Sequence, residues 1–324
     1  MRIVCLGVRR WVWVLLALAS CNAFAGIGDG WFARSEFGKE PTCALFGRTA
    51  VDLQTAMSVT IVWTASEGPV VRLNGGLSGI PSVLLESVGT DDRWNVTVDY
   101  LRQPEFAARQ IMISAGDLDR LIDNIGLGHA LAITVANSGK APLRYLDAPD
   151  GRKVAVAMYR ACVKSMAASP PPAYSKWPGM YLFQMADDSE CGFRQIFSER
   201  SFPPYITLWV SERGGRIAFM RETVERKPHG RIGKRRKTPD RVNSEALFGQ
   251  TFDLVESFEF DLTLSQVDTL AADLARGVAR NVVMTSPEGE SLTLGFGGAY
   301  GKASAAMLAA CREVKFGSAE KLNP

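Results

Sequence analysis

The chain has 324 residues, of which 47% are hydrophobic and 22% charged, and its formal net charge is +3. This composition supplies ample material for a core and excludes a polar, disordered chain, and the length corresponds to roughly two domains. Three arginines near the N-terminus account for the net charge, so residues 26–324 sum to zero. Within that part, residues 221–241 hold nine Lys/Arg and three Asp/Glu, a net charge of +6, which leaves −6 for the remainder.

Residues 1–25 have the pattern of an export signal. A basic stretch, Met1–Arg10, precedes the apolar run Trp11–Leu18, which is too short to span a bilayer. Residues 23–25 (Ala-Phe-Ala) then provide the small-x-small motif at which signal peptides are cleaved. The sequence therefore predicts a signal peptide over residues 1–25, a mature chain that begins at Gly26, and a periplasmic or secreted location.

An alternative cleavage places the mature N-terminus at Cys21. Residues 18–21 read Leu-Ala-Ser-Cys, which resembles the lipobox of bacterial lipoproteins. That resemblance implies lipidation of Cys21 and an outer-membrane lipoprotein held by a lipid anchor. After removal of the signal, no stretch is long and apolar enough to cross a membrane, so no transmembrane span is expected.

The first predicted domain, residues 26–166, is rich in strands and ends in two helices. The first helix starts at Ser114, where Asp117 has the spacing of a capping box, and its apolar residues share one face up to Gly126. A hairpin and a second helix, Lys153–Met166, follow. The predicted strands are Ala56–Trp63, Val70–Leu73, Ser82–Ser87, Trp94–Tyr100, Gln110–Ser114, Ala130–Val135 and Leu143–Leu146.

A proline-rich linker, residues 167–178, joins this domain to the next, because three successive prolines cannot continue a helix or a sheet ladder. The second domain, residues 179–324, is predicted to have a capped helix at Thr263–Arg276 and a final helix at Ala299–Glu313. Its predicted strands are Met180–Met185, Gly192–Phe197, Tyr205–Val210, Arg216–Met220, strands within Ala246–Asp261, Val282–Thr285 and Ser291–Phe296.

The two domains contain an internal repeat. Residues 113–166 align without a gap on residues 262–315 at a shift of 149 positions, and ten of the 54 pairs are identical. Apolar positions, a helix start, a glycine and the final cysteine stay in phase. The sequence therefore predicts an α+β fold of two tandem related domains, each a mostly antiparallel sheet with a helix–hairpin–helix C-terminal part.

Four cysteines follow the signal region: Cys43, Cys162, Cys191 and Cys311. Cys43 and Cys162 are 119 positions apart, and Cys191 and Cys311 are 120 apart, so each repeat opens and closes with a cysteine. We therefore predict one disulfide within each domain, as is common in an oxidising compartment. In the chain-entropy description, each closed loop stabilises the fold by about 5 kcal/mol.

Residues for catalysis, metal binding or cofactor binding are sparse. The chain has two histidines and no C-x-x-C pair, so no metal site is predicted. The glycine-rich stretch Gly295–Lys302 fits neither a dinucleotide-binding nor a P-loop pattern, so no cofactor is predicted and no catalytic residue is assigned. Lys153 and Lys302 both occur at predicted helix starts, where backbone N–H groups can bind an anion.

The basic segment, residues 221–241, interrupts the second domain where the first has no comparable sequence. Its glycines and prolines and its lack of an apolar face predict an exposed loop. This loop is either simply solvated or binds an anionic partner through Arg231, Lys234, Arg235, Arg236 and Lys237. Nucleic acid is not expected as the partner, because the chain carries an export signal and no aromatic residues alternate with the charges.

These features favour an exported, non-enzymatic binding protein that contacts another protein or an anionic component of the cell envelope. The alternative is a cell-envelope hydrolase with a carboxylate-based site between the repeats. Acid pairs such as Asp117 with Asp119 occur, although charge preference at a helix N-terminus accounts for that pair.

Overall fold

The computed structural model describes residues 30–36, 41–48, 58–74, 82–100, 108–135, 139, 142–145, 149–170, 180–184, 190–197, 205–221, 224–226, 232–235 and 238–317. Within these residues the fold combines antiparallel sheets with four α-helices and two disulfides. We refer to residues 30–170 as the N-terminal half and to residues 180–317 as the C-terminal half. The predicted signal peptide, including Cys21, lies outside the described residues.

A nine-stranded antiparallel sheet forms most of the N-terminal half. Its strands are β1 (Gly30–Glu36), β2 (Thr42–Arg48), β3 (Ser58–Thr64), β4 (Gly68–Asn74), β5 (Ser82–Ser87), β6 (Arg93–Tyr100), β7 (Ala108–Met112), β8 (Leu131–Val135) and β9 (Leu143–Tyr145). They lie in the order β1-β2-β3-β4-β7-β6-β5-β8-β9. Alternate residues of β5 are buried, as expected for a strand with one face on the core.

Two helices, α1 (Ala115–Gly126) and α2 (Pro149–Ala168), complete this half. The Ser114 hydroxyl accepts a hydrogen bond from the Asp117 N–H at 3.1 Å, which caps α1 as the sequence predicts. Its apolar residues recur at helical spacing and are buried. Proline suits the first position of α2 because it has no N–H to leave unpaired there. The helix α2 packs on α1 and on β1 and β2.

The described residues of the C-terminal half form eleven strands and two α-helices. The strands are β10 (Met180–Gln184), β11 (Cys191–Ile196), β12 (Tyr205–Ser211), β13 (Gly214–Met220), β14 (Val224–Arg226), β15 (Ile232–Arg235), β16 (Asp240–Ser244), β17 (Gln250–Leu254), β18 (Ser257–Leu262), β19 (Ala279–Thr285) and β20 (Ser291–Gly297). The helices are α3 (Leu264–Arg276), which starts with a capping box of Thr263 and Gln266, and α4 (Gly301–Phe316). The sheets have the orders β10-β11-β12-β13-β18 and β17-β16-β19-β20, and β14 pairs with β15 alone.

Apart from β14 and β15, the strand order of the C-terminal half repeats that of the N-terminal half, with one break. The sheet of β10 to β13 and β18 corresponds to β1 to β4 and β7, and β17-β16-β19-β20 corresponds to β6-β5-β8-β9. The pairing register corresponds as well. Val71 of β4 lies opposite Ile111 of β7, and Ile217 of β13 lies opposite Phe260 of β18. Ile111 and Phe260 are again 149 positions apart, so the correspondence continues before residue 113.

The break lies between β17 and β18, and the faces of these strands explain it. Only Val255 and Glu256 join them, whereas seven residues, 101–107, join β6 to β7. A two-residue hairpin would place Leu254 opposite Ser257, but Leu254 is buried and Ser257 is exposed. Residues that oppose each other across a ladder lie on the same face of the sheet, so the buried Leu254 does not pair with the exposed Ser257. The chain bends between β17 and β18 instead, and β17 belongs to a second sheet.

A disulfide joins the second strand of each half to its last helix. Cys43 of β2 bonds to Cys162 of α2, and Cys191 of β11 bonds to Cys311 of α4. These are the two pairings that the spacing predicts, and all four residues are buried. The hydrophobic core is continuous across both halves, because α2 packs against α4 and β1 lies beside β10.

Several elements differ from the sequence-based expectations. The sequence does not predict β1, β2 or the β14–β15 hairpin, which lies in the segment expected to be a loop. The helix α2 begins at Pro149 rather than at Lys153, and it ends at Ala168, inside the predicted linker. Residues 245–247 form a 3-10 turn in a region expected to be strand. No helix among the described residues is long and apolar enough to cross a membrane.

Candidate functional site

The basic segment enters the fold at the point where the C-terminal half departs from the N-terminal half. Nineteen residues, 221–239, separate β13 from β16, whereas seven residues, 75–81, separate the corresponding strands β4 and β5. The longer connection contains the antiparallel pair of β14 and β15. We call residues 222–239 the basic insertion. It adds a hairpin to a strand order that both halves otherwise share.

A buried ion pair closes the base of the basic insertion. Arg221, directly after β13, pairs with Asp240, the first residue of β16, and their side chains are 9% and 10% exposed. The Arg221 N–H also donates to the Glu256 carbonyl at 3.2 Å, at the bend between β17 and β18. The two ends of the insertion are therefore held together inside the fold. The ion pair also means that these two charges compensate each other and do not contribute to the basic surface.

The charge of the basic insertion remains strongly positive without its base. Residues 222–239 contain seven Lys/Arg and two Glu, a net charge of +5. Of the residues predicted to bind an anion, Lys234 and Arg235 lie in β15. Arg231, Arg236 and Lys237 lie outside the described residues. A charge of this size acts over about 8–10 Å at physiological salt.

The two lysines predicted at helix starts have different surroundings. Lys153 lies in the second turn of α2, because that helix begins at Pro149, and it forms an exposed ion pair with Asp150 at 3.3 Å. The helix start predicted at Lys153 therefore lies four residues too late, and anion binding by Lys153 stays a prediction. Lys302 lies in the first turn of α4. It has no ion pair among the described residues, and it lines a groove that Lys153 does not reach.

This groove, which we call the helix groove, has a volume of about 510 Å³ and lies where the two halves meet. It is bounded by the C-terminal end of α2 and by α3 and α4. Its rim is exposed, so the helix groove is open to solvent. The described residues that line it are Ser165, Ala168, Ser169, Ala271, Ala272, Ala275, Lys302, Ala305, Ala306, Leu308, Ala309 and Arg312.

The alignment of the two halves at a shift of 149 positions shows which residues leave space between α3 and α4. Positions 123 and 160 of α1 and α2 correspond to positions 272 and 309 at the shift of 149. In the N-terminal half these positions are Asp123 and Arg160, which form an ion pair between the helices. In the C-terminal half they are Ala272 and Ala309, both of which line the groove. Two large charged side chains are thus replaced by methyl groups, and the space between the helices opens.

The carboxylates give no support to the hydrolase alternative. The described lining of the helix groove contains no Asp or Glu. Asp117 accepts a hydrogen bond from the Ser114 hydroxyl at 2.7 Å, and this bond lowers the pKa of the Asp117 carboxyl, so the residue acts as part of a helix cap. A second acid pair in the sequence, Asp187 and Asp188, lies outside the described residues. Among the residues that are described, no group of three His, Cys, Asp or Glu could hold a metal ion.

Sequence reasoning missed both the ion pair of Arg221 with Asp240 and the helix groove. The ion pair has no sequence signature, since its two residues are distant along the chain. The groove has a sequence signature, because the gapless alignment of the halves matches Ala272 and Ala309 with the charged residues Asp123 and Arg160. Comparison of the chain with protein-family models, with curated proteins and with solved structures finds no match.

Proposed function

We propose that this chain is an exported binding protein built from two related α+β domains, each closed by its own disulfide. The shared strand order, the matching register of β4–β7 and β13–β18, and the equivalent disulfides support a common origin of the halves. Two buried disulfides are typical of proteins in an oxidising compartment, which supports a periplasmic or secreted location. Lipidation at Cys21, which would make the protein an outer-membrane lipoprotein, is the alternative form of the same proposal.

Export predicts a defined mature N-terminus. Because the Ala-Phe-Ala motif precedes Gly26, N-terminal sequencing of the protein from an exporting host should begin at Gly26. Mass spectrometry distinguishes the alternative, a lipidated Cys21. A cytoplasmic product that retains Met1 would contradict export.

The binding function rests on one observation: a net charge of +5 is concentrated in a hairpin that lies outside the strand order shared by the halves. A segment required for the fold would be expected in both halves, and this one occurs in one. We propose that the basic insertion attracts an anionic partner, either an envelope component or an acidic protein surface. No observation favours the hydrolase, because the groove between the halves is lined by alanines.

Removal of charge from the basic insertion should weaken binding without unfolding the protein. We expect replacement of Lys234, Arg235, Arg236 and Lys237 by Gln to change the free energy of unfolding by about 0.5 kcal/mol or less, because the segment lies outside the strand order that both halves share. Affinity for vesicles that contain phosphatidylglycerol should fall, and the wild-type affinity should itself fall as salt is raised.

The control for this experiment is a variant with the same number of charges removed elsewhere: Arg93, Arg120, Arg144 and Lys164 to Gln, all exposed and in the N-terminal half. It should bind vesicles nearly as well as the wild type. If the variant of the basic insertion binds as tightly as the wild type at low salt, the insertion is merely solvated. If that variant unfolds, the segment belongs to the packed structure.

A further inference from the structure

We propose that the helix groove binds a single-chain amphiphile with one anionic head group, such as a free long-chain carboxylate. The apolar chain would lie along the alanines of α3 and α4, and the head group would meet Lys302. This site is distinct from the basic insertion, and the proposal does not depend on the function assigned to that segment.

The lining of the helix groove fits an apolar chain. Seven of its twelve described lining residues are alanines, and Leu308 adds a larger apolar surface. Methyl groups offer apolar contact to any part of a hydrocarbon chain but no directional hydrogen bond. A volume of about 510 Å³ also falls within the range usual for small-molecule sites. The helix groove therefore favours a ligand with a hydrophobic surface.

The charges of the helix groove favour a ligand whose anionic group lies at the end near Lys302. Lys302 and Arg312 are ten positions apart on α4, which is about 15 Å along a helix. Arg312 donates to the Asp268 carboxylate at 3.1 Å, so its charge is matched within the protein. Lys302 has no ion pair among the described residues. One uncompensated positive charge at one end of an apolar groove complements a ligand with one negative charge at one end.

The dimensions favour a slender chain over a helix from another protein. A helix about 15 Å long and about 10 Å across occupies about 1,200 Å³. The helix groove provides about 510 Å³ and is open to solvent, so such a helix could place only one face in it. An extended hydrocarbon chain is much thinner and can contact the alanines on both walls. A monomeric amphiphile is therefore the occupant that fits the helix groove.

The N-terminal half supplies both a matched control and a way to close the groove. At the equivalent place Asp123 and Arg160 pair across the helices, so Ala272→Asp together with Ala309→Arg should rebuild that pair and fill the groove. Lys153 is the counterpart of Lys302, but it pairs with Asp150 and is not among the residues that line the helix groove. Lys153→Gln therefore removes the same charge from the equivalent helix without touching the proposed site.

The experiment is calorimetric titration of the full mature protein with octanoate, decanoate and dodecanoate, and with decanol as the neutral analogue. Affinity should rise about fourfold for each added methylene until the groove is filled. Lys302→Gln should weaken decanoate binding about fivefold and leave decanol binding unchanged, because only the carboxylate meets the charge. Lys153→Gln should change neither affinity. The variant A272D/A309R should lose binding while both disulfides still form.

Three results would overturn the proposal. The first is that the wild type binds no carboxylate. This includes the case in which the wild type binds only anionic vesicles and A272D/A309R abolishes that binding, because the ligand of the groove would then be a membrane. The second is equal affinity for decanoate and decanol. The third is full decanoate affinity in a folded A272D/A309R variant. If this variant does not fold, Ala309→Leu can be used instead, because it fills the same space with an apolar side chain. Full decanoate affinity in the Ala309→Leu variant would also overturn the proposal.

Discussion

Replacement of Cys43 and Cys162 by alanine is expected to reduce the free energy of unfolding by about 5 kcal/mol. The disulfide closes a loop of 119 positions, and in the chain-entropy description its loss mainly frees the unfolded chain. Because domains are commonly stable by only about 5–15 kcal/mol, the variant should lie close to the limit of folding. For a protein of this size the melting temperature should fall by about 10–20 °C.

The second disulfide provides the matched comparison. Cys191 and Cys311 are 120 positions apart and join equivalent elements, so their replacement by alanine should have an effect of similar size. Chemical denaturation of both variants measures the two losses, and non-reducing peptide mapping identifies the remaining bridge in each. A loss below about 1 kcal/mol for either variant would show that its bridge does not constrain the unfolded chain as described.

Replacement of Asp240 by Asn should cost about 3–5 kcal/mol of stability, because it removes one charge of a buried ion pair while the Arg221 charge stays in place. The two residues lie at the base of the basic insertion, so the loss should also loosen the join between β13 and β16. The double variant Arg221→Met with Asp240→Leu removes both charges and should recover most of the stability. Equilibrium denaturation in urea measures all three proteins.

A nearby exposed ion pair serves as the control for this experiment. Arg241 and Asp253 lie 3.9 Å apart with most of both side chains in solvent, so Asp253→Asn should cost less than about 1 kcal/mol. An equal cost for Asp240→Asn and Asp253→Asn would mean that burial of the Arg221–Asp240 pair has no energetic consequence. Failure of the double variant to regain stability would point to a packing role for these side chains instead.

Local patterns predicted much of the fold. Ser114 and Thr263 locate helix starts because an N-cap hydroxyl satisfies backbone N–H groups within the next turn. The helix α2 is misplaced at its start, because the helix-forming pattern becomes clear at Lys153 whereas Pro149 already occupies the first turn. The cysteine spacing, taken with the repeat, leads to the observed disulfides.

Features that depend on contacts between distant segments could not be predicted in the same way. The strand β1 buries Trp31, Phe32, Ala33 and Ser35, so its burial does not alternate cleanly and includes a polar residue, and the segment gives little signal by itself. The break between β17 and β18 depends on which faces meet across the turn, and so does the final strand order. The sequence therefore indicates the class of each sheet but not where one sheet ends.

The two candidate sites differ in what the sequence reveals about them. The charge of the basic insertion is visible at once, but the ion pair that closes it appears only when β13 and β16 are brought together. The helix groove coincides with two differences in the alignment of the halves, where Ala272 and Ala309 stand at the positions of Asp123 and Arg160. Its volume depends on how closely α2, α3 and α4 pack, which no sequence pattern specifies.

Excision of the basic insertion tests most directly whether this protein is a duplicated fold that carries one added binding segment. Residues 222–239 would be replaced by a short Gly/Ser connection, with Arg221 and Asp240 retained so that the buried ion pair still joins β13 to β16. We expect both disulfides to form and the melting temperature to change by no more than a few degrees, while binding to anionic vesicles at low salt is lost. Unfolding of the excised protein, or vesicle binding as tight as that of the wild type, would contradict this account.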